Sequence, residues 1–287
     1  MPKVRVNHLN LYYEEAGSGV PVVFVHEFAG DWRSWEAQIR FFSSRYRAVT
    51  FSARGYPPSD VPESPEEYSQ ENQIEDLKGL MDALKIEKAH LCGLSMGSYT
   101  SLLFGIKYPK RSHSLTIAGS GYGSGANRED FHRQIVQVAD QMLRGGMKAV
   151  SATYTLGPAR VQLQNKNPRA WEEFRRQFEE HSAKGSAYTF LGVQRKRPSI
   201  TDLGDQLRKI ALPVLIMQGD EDERGMEGSL FMKRHIPRAG LEVFPRSGHT
   251  LNLEEPEHFN RSLLDFITAV DAGHWEARDP RSFSPVI

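Results

Sequence analysis

Three short stretches of this chain carry residue types that together can cleave a carboxylic ester. Gly93-Leu94-Ser95-Met96-Gly97 sets a serine between two glycines, after the apolar run Ala89 to Cys92 and before a helical stretch. On a sharp strand-to-helix turn the hydroxyl is lifted clear. Glycine two residues to either side then keeps side chains from colliding with the adjoining strand and helix. The same turn aims the Met96 N–H and the helix N-terminus at one point. A serine hydroxyl is a weak nucleophile and needs a base. Among ten histidines, His249 in Arg246-Ser247-Gly248-His249 lies between an expected strand, Leu241 to Phe244, and an expected last helix. An imidazole in that role needs a carboxylate to fix its tautomer and stabilise its charged form. Gly219-Asp220-Glu221-Asp222, after the run Val214 to Met217, offers Asp222, with Asp220 as the runner-up.

Acyl chemistry also needs two N–H donors for the developing oxyanion. Met96 offers one. The other is expected from His26-Glu27-Phe28-Ala29-Gly30, the loop after the run Val20 to Val25, with Phe28 N–H the best placed. His26 rivals His249 because it too ends a strand, but a complete base exists elsewhere, so His26 is expected to brace the loop.

The elements that must position these groups follow from hydrophobic periodicity. Val4 to Val6 and Leu9 to Glu14 read as strands around a turn at Asn7-His8, and Val20 to Val25, a β-branched run, as a strand buried on both faces. Tyr46 to Phe51, Ala89 to Cys92, His113 to Ala118, Val214 to Met217 and Leu241 to Phe244 read as further strands. Between them Asp31 to Phe42, Glu67 to Leu84, Ser98 to Tyr108, Gly228 to Arg234 and Glu255 to Val270 have helical spacing. Strands alternating with helices imply crossovers and a mostly parallel sheet, whose carboxyl edge gathers the loops that hold Ser95, Asp222 and His249. Residues 122–208 break the rhythm, with helices expected over Phe131 to Leu143 and Pro168 to His181. They are expected to form a helical insertion over the core, with Trp171-Glu172-Glu173-Phe174-Arg175-Arg176 on its outer, solvated face.

The ordered set of motifs resembles the α/β-hydrolase superfamily from Leu9 to about Val270. It is most like that group's small-molecule esterases, enol-lactonases and carbon–carbon bond hydrolases. The matching pieces are Leu11 to Gly17, the loop 26–30, Ala53-Arg54-Gly55-Tyr56 with Ser59-Asp60, Cys92 to Gly97, Gly219 to Asp222, and Ser247-Gly248-His249 with Glu254-Glu255-Pro256. The order Ser, Asp, His along the chain is the order of that fold. Some members carry the acid one strand earlier, but Gly119 to Gly125 contains no carboxylate. The resemblance implies an α/β-hydrolase fold: a mostly parallel central sheet flanked by helices, with a core of 1–121 and 209–287 and a helical cap (lid) of 122–208. It implies a triad of Ser95, Asp222 and His249, and glycines 119, 121, 123 and 125 that let the cap move. It implies a serine esterase or lactonase working through an acyl-enzyme. Carbon–carbon bond hydrolysis, or a ligand receptor with little turnover, stands as the alternative. Two positions depart from the pattern. Glu27 stands where glycine is usual, and a carboxylate beside an oxyanion opposes catalysis unless it is turned away, paired or protonated; it is expected to face a polar partner such as Arg54. Ser52 replaces a usual aspartate and is expected to alter a structural hydrogen bond. The substrate pocket is expected to involve His26, Glu27, Tyr122 and Phe131.

Bulk composition narrows the partners. Lys plus Arg and Asp plus Glu both number 36, so no whole-chain field draws in nucleic acid or an acidic membrane. One cysteine, Cys92, excludes an intrachain disulfide. With Lys3, Arg5 and His8 interrupting the N-terminal stretch and no membrane-length apolar run, a cytoplasmic setting is expected. The partner is expected to be a small-molecule substrate, with no nucleic acid, no membrane and no cofactor or metal, and with a homodimer left open. Gly121-Tyr122-Gly123-Ser124-Gly125-Ala126 matches a loose dinucleotide fingerprint, but no strand ending in an acid follows, so it reads as a hinge. Gln194-Arg195-Lys196-Arg197 reads as a solvated basic loop, and the tail after Val270 has no periodicity.

Overall fold

The structure, a computed structural model, describes residues 2–125 and 128–283. Eight strands form one sheet: β1 (Lys3–Val6), β2 (Leu9–Ala16), β3 (Pro21–Val25), β4 (Arg47–Phe51), β5 (Ala89–Leu94), β6 (Ser112–Ala118), β7 (Val214–Gly219) and β8 (Ala239–Phe244). Their spatial order is β1-β2-β4-β3-β5-β6-β7-β8. β2 pairs antiparallel with β1 and β4, and every later pairing is parallel. Chain order reverses between β3 and β5, with β4 on one side and β6 on the other. The crevice beyond their carboxyl ends is where ligands bind in sheets of this kind.

Successive residues of β3 serve opposite faces. Val22 and Phe24 pack with Trp35, Phe42, Phe259 and Phe266, while Val23 and Val25 pack with Leu77, Leu80, Leu102 and Phe104. Helices α1 (Glu36–Phe42) and α11 (Pro256–Asp271) therefore cover one face. On the other lie α2 (Gln70–Ala83), α3 (Met96–Lys107) and α9 (Glu223–His235). The double-sided burial explains why β3, β5 and β7 read as near-continuous apolar runs.

Between β6 and β7 the described residues contain no strand. They form α4 (Arg128–Tyr154), broken at Gly146 where φ is 73°, then α5 (Val161–Lys166), α6 (Pro168–Glu179), α7 (Ala183–Tyr188), a π-helical turn at Thr189–Gln194 and α8 (Gly204–Arg208). A short α10 (Leu251–Glu254) precedes α11. The sequence reading finds the first half of α4 and all of α6, but misses the half of α4 beyond Gly146 and the short helices. Those pieces are too brief to show a period. No helix among the described residues is long and apolar enough to cross a membrane.

Two expectations are corrected here. α6 is not wholly solvated: Phe174 and Phe178 are buried, and the Trp171 indole donates to the Thr155 carbonyl at 2.8 Å. The basic run 194–197 is not all solvated either. Arg197 is buried, with its guanidinium 3.7 Å from the Tyr99 ring centre and donating to the Tyr122 carbonyl at 2.9 Å. The tail after Val270, read as lacking periodicity, packs in part on the core: Trp275 lies edge-on against Phe266 and donates to the Arg238 carbonyl at 2.8 Å. The four glycines from 119 to 125 all have positive φ, so they specify tight turns; Ala126 of the same motif lies outside the described residues.

Candidate active site

Ser95 sits between β5 and α3 with φ 53° and ψ −109°, a strained conformation for a residue with a side chain. Two glycines make the turn feasible. A Cβ on Gly97 would lie 2.0 Å from the Val25 carbonyl oxygen, and one on Gly93 would lie 2.2 Å from the Gly97 oxygen. The first turn of α3 is thus pressed against the end of β3, which brings the Ser95 turn beside the loop 26–30.

His249 and Asp222 come from the loops after β8 and β7. The His249 Nδ1–H donates to Asp222 Oδ2 at 2.8 Å, leaving Nε2 as the free nitrogen of the ring. Asp222 also accepts from Gln218 Nε2 at 2.9 Å and, through Oδ1, from the Tyr122 hydroxyl at 2.5 Å. Burial by itself would raise this carboxyl. Electrostatic attraction to the His249 ring, together with hydrogen bonds from His249, Tyr122 and Gln218, outweighs it and holds the group below the usual carboxylate range. Burial and the adjacent Asp222 push the Tyr122 phenol well above its ordinary value, so it remains a donor. Asp220 is spent elsewhere, accepting from Ser247 N–H at 3.1 Å. Glu254 braces the histidine loop by accepting from Gly248 N–H at 2.6 Å and Thr250 N–H at 3.0 Å.

Ser95 and His249 line one cavity of about 190 Å³, together with Phe28, Tyr122, Phe131 and Arg160. No hydrogen bond joins Ser95 Oγ to His249 in this structure. Such contacts commonly tighten only when substrate is bound. Near the serine, Met96 N–H belongs to the first turn of α3 and has no intrahelical acceptor. Among the described residues Phe28 N–H has no acceptor either.

Of the four expected pocket residues, Tyr122 and Phe131 line the cavity, whereas His26 and Glu27 do not. His26 is tied at both ring nitrogens: Nδ1–H donates to the Glu27 carbonyl at 2.6 Å and Nε2 accepts from Ala53 N–H at 3.0 Å. Full burial lowers it to about 4, so the ring is neutral, as Nε2 acceptance requires. Glu27 does not face Arg54, which is bonded to Asp76 at 2.6 and 2.8 Å. Its carboxylate accepts instead from Arg160 Nη2 at 2.5 Å. Arg160 reaches the cavity from the segment between α4 and α5, and nothing in the sequence singles it out, because its partner is 133 residues away. Gln218 was likewise missed, its only local signal being that it precedes the acid loop, whereas Glu254 belongs to a motif that the sequence shows but to which it assigns no role.

The model of the alpha/beta hydrolase fold family matches residues 20–256. The chain is 30% identical over 250 residues to a 3-oxoadipate enol-lactonase of Acinetobacter baylyi, covering 87% of this chain and 89% of that one. It is 28% identical over 281 residues to a 2-hydroxy-6-oxo-6-phenylhexa-2,4-dienoate hydrolase of Burkholderia cepacia, covering 91% and 92%. A solved thermophilic esterase from Thermogutta terrifontis superposes with a TM-score of 0.83 at 26% identity, covering 94% of this chain and 99% of the other. With the elbow, the sheet order and these matches in agreement, the chain belongs to the α/β-hydrolase fold family.

Proposed function

We propose that the protein is a serine hydrolase of small-molecule carboxylic esters or lactones. Ser95 is the nucleophile, His249 the general base, Asp222 the carboxylate that orients it, and the N–H groups of Phe28 and Met96 the oxyanion hole. The observation that carries this reading is the His249–Asp222 hydrogen bond on the wall of the cavity that also holds a strained, helix-capping Ser95. The relatives named enol-lactonase and esterase support the substrate class.

Ser95 Oγ attacks the carbonyl carbon as its proton passes to His249 Nε2, and the carbonyl oxygen becomes an oxyanion facing the two N–H donors. The C–O bond to the leaving alkoxide then breaks, and the imidazolium returns its proton to that oxygen. Water attacks the acyl-enzyme with His249 again as base, releasing the acid and restoring the Ser95 hydroxyl. In a lactone both products remain one molecule. Asp222 stays ionised throughout. Residues 122–208 serve as the cap, supplying the apolar wall against which the substrate lies, and 1–121 with 209–287 serve as the catalytic core. A cytoplasmic setting belongs to the same reading and agrees with the one buried free thiol, Cys92.

Carbon–carbon bond hydrolysis with the same triad is the second reading, favoured by the similarity to the Burkholderia cepacia enzyme. The receptor alternative loses its main motive, since the Glu27 charge is neutralised by Arg160. A fluorophosphonate probe is expected to label the wild type and not Ser95→Ala, and short-chain aryl esters are expected to turn over in a manner abolished by His249→Ala. An unlabelled, inactive wild type overturns the assignment.

A further inference from the structure

The cavity has one buried cation on its wall, and that cation is already neutralised. Arg160 and Glu27 are each about 1% exposed, and their contact is a direct ion pair. The guanidinium lies 4.8 Å from the Phe174 ring centre and 5.8 Å from that of Tyr154, so aromatic faces hem it in. Its Nη1 is turned to the Ala159 carbonyl at 3.3 Å. Glu27 Oε1 and Arg160 Nε have no hydrogen-bond partner among the described residues, so the pair is held by one strong bond. Around the reacting centre much of the remaining wall is apolar, with Phe28 stacked on Phe190 at 3.5 Å and Phe131 and Ile135 beside it, while Gln134 and Gln194 add uncharged amides. Among the described residues no carboxylate lines the cavity. The other cation on the wall, Arg224, is exposed and bonded to Gln134 at 3.1 Å, where water screens it. Arg197 is buried but does not line the cavity.

We propose that Glu27 is a specificity-determining residue that consumes the charge of Arg160 and so fits this pocket to uncharged, apolar esters, excluding substrates that carry a carboxylate. An entering carboxylate gains little from a neutralised arginine. Capturing Arg160 outright strands the Glu27 charge in a dry interior, which is strongly penalised. Specificity here is set by a repulsive element as much as by an attractive one. The proposal rests on the hydrolase reading and narrows its substrate class.

The test compares phenyl pentanoate with monophenyl glutarate, in which a terminal carboxylate replaces the methyl group. Rates are expressed per fluorophosphonate-titrated site. Wild type is expected to favour the neutral ester by about 100-fold in kcat/KM, and Glu27→Gln, which frees the arginine, to narrow that ratio by about 10-fold. The double variant Glu27→Gln/Arg160→Met is expected to restore the wild-type preference. Competition on wild type gives a second readout if Glu27→Gln does not fold: 5-oxohexanoate, in which a carboxylate replaces the terminal methyl of 2-hexanone, is expected to inhibit at least about 10-fold more weakly than 2-hexanone. A labelled wild type that hydrolyses monophenyl glutarate as well as the neutral ester overturns the proposal. So does a folded Glu27→Gln with an unchanged ratio, or a 5-oxohexanoate that inhibits as well as 2-hexanone. A wild type that neither labels nor turns over either ester overturns the hydrolase reading itself, and the proposal with it.

Discussion

The Tyr122 hydroxyl donates a 2.5 Å hydrogen bond to Asp222 Oδ1, opposite the oxygen that holds His249, and the Tyr122 ring centre lies 4.7 Å from the imidazole. One residue just beyond β6 thus touches both partners of the acid–base pair. Tyr122→Phe keeps the ring and removes the donor from a buried carboxylate. The expected result is a kcat/KM loss of about 10-fold and a stability loss of about 1–2 kcal/mol. The rate of Ser95 phosphonylation by a fluorophosphonate should fall in parallel. Unchanged kinetics would mean that the bond does not serve the pair.

Asp222 and Asp220 stand two residues apart, yet only Asp222 bonds His249, while Asp220 holds the Ser247 N–H. Asp222→Asn is expected to lower kcat by about 10⁴-fold, because an amide favours the wrong imidazole tautomer. Asp220→Asn is expected to cost less than about 10-fold, since it disturbs only loop packing. Comparable losses in the two variants would reverse the assignment of the acid.

The elbow admits no side chain at Gly97, where a Cβ would meet backbone 2.0 Å away. Gly97→Ala must push α3 from β3, and a loss of about 3 kcal/mol or more is expected from the urea unfolding midpoint. A variant as stable as wild type would show that the helix start moves freely.

His26 is held neutral down to about pH 4, against 6.5 for the free side chain. Between those values the unfolded chain binds a proton that the folded one refuses, so stability falls as pH drops from about 6.5 to about 4. The full contribution is about 3 kcal/mol. His90, also lowered to about 4 by burial, adds to the same limb. His26→Gln is therefore expected to flatten the acid limb of stability against pH without abolishing it. An equally steep limb in the variant would place the titration elsewhere.

Much of the fold was legible because its signals are local. The continuous apolar run of β3 and the three-to-four spacing of apolar residues in α2 and α11 report burial directly, and the glycines around Ser95 announce a turn that only they can make. Ser95, Asp222 and His249 were legible as candidates because each ends a recognisable strand-loop unit, and the loops after parallel strands meet at one edge. What only the tertiary structure decided were contacts between residues far apart in sequence. It turned Glu27 to Arg160 rather than Arg54, set Tyr122 and Gln218 on Asp222, drew His26 out of the pocket, and buried Arg197 against Tyr99. A side chain's partner across a cavity depends on how helices pack between β6 and β7, and no spacing along the chain encodes that distance.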